Sequence, residues 1–157
     1  MSHTTQGTLL LTKLGIAFTL HPYNYDPDAP RIGLHAAEAL GIDPGQTFKT
    51  LMAEVDGKPV CVVVPSDSEV SMKKLAAAFG GKSANMMKPA DAERLTGFKV
   101  GGISPFGQRK KVPTAIDETA ELFEEVLING GQRGLLVGLR PADAARATEA
   151  KLVDLAA

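Results

Sequence analysis

Cysteine occurs once, at position 61, in a chain of 157 residues. No internal disulfide is therefore possible, and a reducing compartment is expected. Long apolar runs are missing too. The longest clean one, Val60–Val64, has the length of a strand and falls far short of a membrane span. The first residues, MSHTTQGTLLLTKLG, lack the basic region of a secretory signal. These absences point to a cytoplasmic protein with no membrane partner. Repeats, low-complexity tracts and linkers are also absent, so residues 1–157 are read as a single domain. His3, His21, His35 and Cys61 show no metal-ligand spacing, and no metal or cofactor is expected. Cys61 alternates with apolar neighbours, as a core residue does.

Net charge is nearly absent as well, at −1, but its distribution is uneven. Residues 71–111 carry 9 Lys/Arg against 2 Asp/Glu, whereas residues 1–70 and 112–157 each carry 4 against 8. A middle segment of +7 between flanks of −4 suits either a solvated basic face or a polyanionic partner.

Periodicity and punctuation alternate along the chain. Thr8–Leu14 has helical spacing and stops at Gly15, and Ile16–Leu20 suits a strand. His35–Leu40 is a helix closed by Gly41, followed by the turn Asp43-Pro44-Gly45. Phe48–Val55 and Pro59–Val64 flank Asp56-Gly57, a hairpin signal. Ser71 caps the helix MKKLAAAFGG, and Pro89 opens PADAERLTG. Thr114–Ile116, Val126–Ile128 and Leu135–Leu139 read as buried strands, with Glu118–Phe123 a helical turn or two. Pro141–Ala150 is a last helix. The expected fold is a single mixed α/β domain. Its sheet is curved and barrel-like, mixed and mostly antiparallel, with helices packed around it.

Two places invite chemistry. Lys49 shares a strand face with Leu51, Ala53 and Val55. An ammonium there either snorkels to water at the strand's edge or stands at the mouth of a cleft and holds an anion or carbonyl oxygen. The stretch VGGISPFGQRKKVPT (100–114) joins Gly101 and Gly102 to Pro105 and three successive cations. Bare peptide N–H groups at such glycines suit an oxygen ligand, and an ordinary surface turn is the alternative. No Lys-Ser/Thr follows at phosphate-loop spacing, and the segment around Ser104 has neither the spacing nor the residues of a nucleophile elbow, so Ser104 is a weak nucleophile. Asn129 opens a third glycine cluster, NGGQRG (129–134), read as a hairpin loop or as a wall of the same cleft. Tyr23 lies near a strand end, where packing is the default role.

Together, TFKTL (47–51), VGGISPFGQRKKVPT (100–114) and NGGQRG (129–134) resemble the YbaK-type Cys-tRNA(Pro) deacylases, relatives of the editing insertion of bacterial prolyl-tRNA synthetase. LHPYNYDPDAP (20–30), the DPGQTFKTL turn and strand, and the SMKKLAAAFGGK helix extend the likeness over nearly the whole chain. The resemblance implies a barrel-like sheet around a cleft. It also implies removal of cysteine from Cys-tRNA(Pro), with Cys-tRNA(Cys) a second candidate. The family's essential lysine falls on Lys49, and its Gly-x-x-x-Pro motif on Gly101 to Pro105. Substrate-binding positions fall on Tyr23, Thr50, Ser104, Pro105 and Asn129, the last a position that is often serine in the family. In the implied reaction the substrate thiol attacks its own ester carbonyl. Lys73, Lys74, Arg109, Lys110 and Lys111 would face the phosphates of the tRNA acceptor end, and prolyl-tRNA synthetase is a candidate partner. An Ala-tRNA(Pro) deacylase of the same superfamily and a tRNA-binding module without catalysis are the rival readings.

Overall fold

The computed structural model describes residues 3–29 and 32–157. Pro30, the end of the quoted LHPYNYDPDAP stretch, lies outside them. Helix α1 (Gln6–Lys13) opens on a capping box. The Thr5 hydroxyl accepts from the Thr8 N–H at 3.0 Å, and the Thr8 hydroxyl accepts from the Thr5 N–H at 2.9 Å. Strand β1 (Thr19–Pro22), helix α2 (Ile32–Leu40), strand β2 (Thr47–Val55) and strand β3 (Lys58–Pro65) follow. Asp56 and Gly57 join β2 to β3 with φ of 50° and 80°. Both are left-handed, which is why this dipeptide makes the tight turn of a twisted hairpin. Ser71 caps helix α3 (Met72–Ala78), and its hydroxyl accepts from the Lys74 N–H. Strand β4 (Ala84–Met86), helix α4 (Pro89–Thr96), strand β5 (Thr114–Asp117) and a 3-10 turn (Glu118–Leu122) come next. Strands β6 (Val126–Asn129) and β7 (Leu135–Leu139), helix α5 (Pro141–Thr148) and strand β8 (Lys151–Val153) complete the chain.

The strands form one mixed sheet in the order β1-β7-β6-β2-β3-β5-β8, with β4 also pairing β2. The hairpins are antiparallel, while β2–β6, β3–β5 and β5–β8 are parallel. The expected mixed α/β sheet surrounded by helices is borne out. Its end strands β1 and β8 do not pair with each other, so the barrel-like curve stays open. Both faces are covered. Leu11 of α1 and Ala144 of α5 lie with Phe48, Val63, Ile116, Ile128 and Val137 on one side. Leu75 and Ala76 of α3 lie on Val60, Val62, Val64 and Ala115 on the other, where Ala36 of α2 meets Leu127 and Leu136. Burial from two sides explains the unbroken apolar run in β3.

The differences from the sequence reading are local. The strand expected at Ile16–Leu20 begins at Thr19. Ile16 belongs to the end of α1 instead: its N–H bonds the Leu11 carbonyl at 3.0 Å, and its side chain enters the core. The last helix stops at Thr148, because Glu149 is left-handed at φ 55°. Strands β4 and β8 have three residues each, too short to show a period in the sequence.

Candidate active site

Strand β2 creates the site through a gap in its pairing. Along one edge it pairs with β3 from Phe48 to Val55. The other edge is divided: β6 pairs only with Thr47 and Phe48, and β4 only with Ala53–Val55. Between them, residues 49–52 have no strand neighbour on that side among the described residues. The Gln46 carbonyl accepts from the Leu127 N–H, and the Met52 carbonyl from the Met87 N–H, each at 3.1 Å and each on this edge. Peptide groups two residues apart in a strand point the same way. The N–H and C=O of Thr50 therefore face the gap.

A cavity of about 300 Å³ occupies this gap. Its wall includes Tyr23, Thr47, Lys49, Thr50, Ser66, Gly101 and Asn129 among apolar neighbours such as Met52, Ile103 and Leu136. It contains no carboxylate, imidazole or thiol among the described residues. Lys49 is half-buried and makes no ion pair among the described residues. Its charge is thus available to an anionic or carbonyl ligand. Burial pushes the Tyr23 phenol above its ordinary value, against a hydrogen bond with Gly134 that pulls the other way.

Asn129 holds two loops together. Its amide nitrogen donates to the carbonyls of Gly101 and Gln132, both at 3.3 Å, and its carbonyl oxygen accepts from the N–H groups of Gly131 at 2.7 Å and Gln132 at 3.2 Å. Arg133 adds a second tie, donating from Nε to the Val100 carbonyl at 2.9 Å, with its guanidinium 5.2 Å from the centre of the Tyr25 ring. Gly101 has φ 90°, and a Cβ there would stand 2.6 Å from the Tyr25 hydroxyl. Its N–H forms no hydrogen bond among the described residues. The cavity wall at this point is a bare peptide, locked from behind.

A family model for the aminoacyl-tRNA editing domain matches residues 27–147. The chain belongs to this family. The chain is 41% identical over 107 residues to an Enterococcus faecalis protein provisionally named Cys-tRNA(Pro)/Cys-tRNA(Cys) deacylase EbsC, a match spanning 67% of this chain and 65% of that relative's length. It is 31% identical over 123 residues to the multifunctional Ser/Thr-tRNA deacylase ProXp-y of Escherichia coli, covering 75% of this chain and 74% of the relative. Among solved structures, a protein provisionally described as a trans-editing enzyme for prolyl-tRNA synthetase superposes with a TM-score of 0.80 at 23% identity, over 99% of each chain. The resemblance read from residues 47–51, 100–114 and 129–134 is borne out.

In this chain Tyr23, Lys49, Thr50, Gly101 and Asn129 meet at one cavity. The other residues singled out in the sequence do not. Gly102 lies behind Gly101: its N–H already donates to the Lys99 carbonyl at 2.7 Å, and a Cβ there would stand 2.7 Å from the Arg133 nitrogen. Gly102 serves close backbone packing, which leaves Gly101 as the one of the pair whose N–H is unbonded among the described residues. Ser104 is fully buried, its hydroxyl accepting from the Phe106 N–H at 3.0 Å. Pro105 faces a second, smaller cavity with Leu10, Gly107 and Gln108. Lys74 bonds Asp154 and the Ala156 carbonyl, Lys111 pairs with Glu149 at 2.5 Å, and Arg109 reaches the Arg94 carbonyl at 3.4 Å. Lys73 and Lys110 are exposed and form no ion pair among the described residues. Sequence reasoning missed Ser66, Tyr25 and Arg133. Two of them carried a signal: Tyr25 is the second tyrosine of an alternating YNY, and Arg133 lies within NGGQRG.

Proposed function

We propose that this protein is a trans-editing deacylase that removes cysteine from Cys-tRNA(Pro), with Cys-tRNA(Cys) as a second substrate. The observation that supports it is the cavity itself. One cation borders it beside Gly101, whose N–H is unbonded, and no general base or activated nucleophile accompanies them among the described residues. Such a wall suits a reaction whose nucleophile arrives with the substrate. The substrate sulfur forms a bond to its own ester carbonyl carbon. The bond from that carbon to the ribose oxygen breaks, the thiol proton passes to the departing ribose oxygen, and cysteine leaves as a cyclic thiolactone.

The protein's part is orientation and electrostatics. Holding a nucleophile in line with its target is worth up to ~7–11 kcal/mol in well-oriented intramolecular reactions. The Gly101 N–H is the proposed donor to the developing oxyanion, a role worth ~2.7–4 kcal/mol per donor. Lys49 holds the terminal phosphate or the ester end of the substrate. The basic residues Lys73, Lys74, Arg109, Lys110 and Lys111 are proposed to meet phosphates further along the acceptor stem, and prolyl-tRNA synthetase is the proposed source of tRNA selectivity.

The test is deacylation of Cys-, Ala- and Pro-tRNA(Pro) by purified protein, with products identified by mass. Thiolactone from Cys-tRNA(Pro), lost in Lys49→Ala with an unchanged melting curve, is the expected result. Free cysteine would mean attack by water. Preferred cleavage of Ala-tRNA(Pro) would make this an alanyl deacylase, and tRNA binding with no cleavage would make it a binding module.

A further inference from the structure

Two hydroxyls in the cavity wall, Thr50 Oγ1 and Ser66 Oγ, are buried with no hydrogen-bond partner among the described residues. Ser66 is only 5% exposed, and its backbone is fixed by its N–H, which donates to the Thr47 carbonyl at 2.8 Å. Nearly all buried polar groups in folded proteins are paired, because an unpaired one has lost water and gained nothing. Hydrocarbon would fill these two positions at less cost. The neighbouring wall does use it, at Met52, Met87, Ala92, Ile103 and Leu136. The chain has instead placed hydroxyl residues in β2 and in the turn after β3, both lining the space a ligand would enter.

We propose that Ser66, together with Thr50, determines which acyl group the cavity accepts, by pairing with a hydroxyl or thiol on the substrate's side chain. This rests on the deacylase reading and adds the group that selects the substrate. An alanyl group brings only a methyl and leaves both hydroxyls unpaired. A site built to hydrogen-bond a substrate group discriminates strongly against the analogue lacking it. A hydroxyl is a better donor and acceptor than a thiol, so a seryl group binds at least as tightly as a cysteinyl group. Cleavage by self-attack still requires the sulfur. Binding and cleavage therefore follow different rules, the first set by Ser66 and Thr50, the second by the substrate's own nucleophile.

Adenosine 3′-amides of serine, cysteine and alanine test this by calorimetric titration, because an amide in place of the ester resists cleavage. The wild-type protein is expected to bind the seryl and cysteinyl amides about tenfold more tightly than the alanyl one. Ser66→Ala brings that ratio toward unity and leaves affinity for the alanyl amide unchanged. Should its melting curve show that Ser66→Ala does not fold, Thr50→Val removes the other hydroxyl at nearly constant shape and is read in the same way. Equal wild-type affinity for all three amides, or a wild-type ratio kept by folded Ser66→Ala, overturns the proposal. A protein that ranks the amides as expected but deacylates no tRNA would remove the deacylase reading alone. Deacylation without ranking would remove this proposal alone.

Discussion

The side-chain amide of Asn129 donates to the main-chain carbonyl of Gly101 at 3.3 Å, across 28 positions of sequence. This bond turns two glycine-rich loops into one wall. Asn129→Ala would leave the Gly101 carbonyl and the N–H groups of Gly131 and Gln132 without that partner. A loss of about 1–3 kcal/mol is expected. At about 2–4 °C per kcal/mol for a chain of this size, the melting temperature should fall by several degrees. Deacylation should fall further than stability does, because the Gly101 peptide loses its fixed position. A melting curve and a single-turnover assay on the same preparation check both.

Gly101→Ala combines two penalties. The residue sits at φ 90°, and the new methyl would lie 2.6 Å from the Tyr25 hydroxyl. The backbone strain alone is expected to cost on the order of 1–3 kcal/mol. Adding Tyr25→Phe removes the nearest atom but not the strain. The double variant should therefore recover part of the lost stability and no more. Full recovery would mean that the φ requirement is unimportant.

Neutralising Arg109, Lys110 and Lys111 together should weaken tRNA binding and flatten its salt dependence, by about one unit of slope for each phosphate that is no longer neutralised. Filter binding across a salt series measures this. Lys74→Ala should weaken tRNA binding too, but with a structural cost. Lys74 ties the C-terminal segment through Asp154 and the Ala156 carbonyl, so its loss should show in thermal stability. An unchanged affinity and slope in the triple variant would make all three cations solvated surface.

Asp117 predicts an acid limit. Its burial pushes the carboxyl's pKa up, but hydrogen bonds from Thr119 and from the N–H groups of Leu155 and Ala156 outweigh this and hold it below the ordinary value. A depressed carboxyl contributes stability that is present above its unfolded value of about 3.9 and disappears as pH falls through the folded one. Asp117→Asn should cost about 1–3 kcal/mol at neutral pH. Denaturant unfolding at several pH values should show a flatter acid limb in that variant than in wild type.

Local structure was legible because its causes are local. Asp56-Gly57, Ser71 and Pro89 each act on their own backbone, and each marks the turn, cap or helix start read from the sequence. Lys49 was visible as an ammonium group at the end of an apolar strand face. The reading of Gly101 and Gly102 as a pair of donors missed a distinction that only packing makes. Nothing in the letters says that one N–H is already given to Lys99.

The sequence by itself determined the mixed α/β class, the family, and the lysine and the one glycine, Gly101, that line the cavity. Hydrophobic period, turn chemistry and short motifs carry that information along the chain. Tertiary structure alone decided that β6 and β4 stop short of each other on β2, and that Thr50 and Ser66 line the opening they leave. A gap in a sheet is a relation among three strands far apart in sequence. No single segment encodes it, because it exists only once all three have paired.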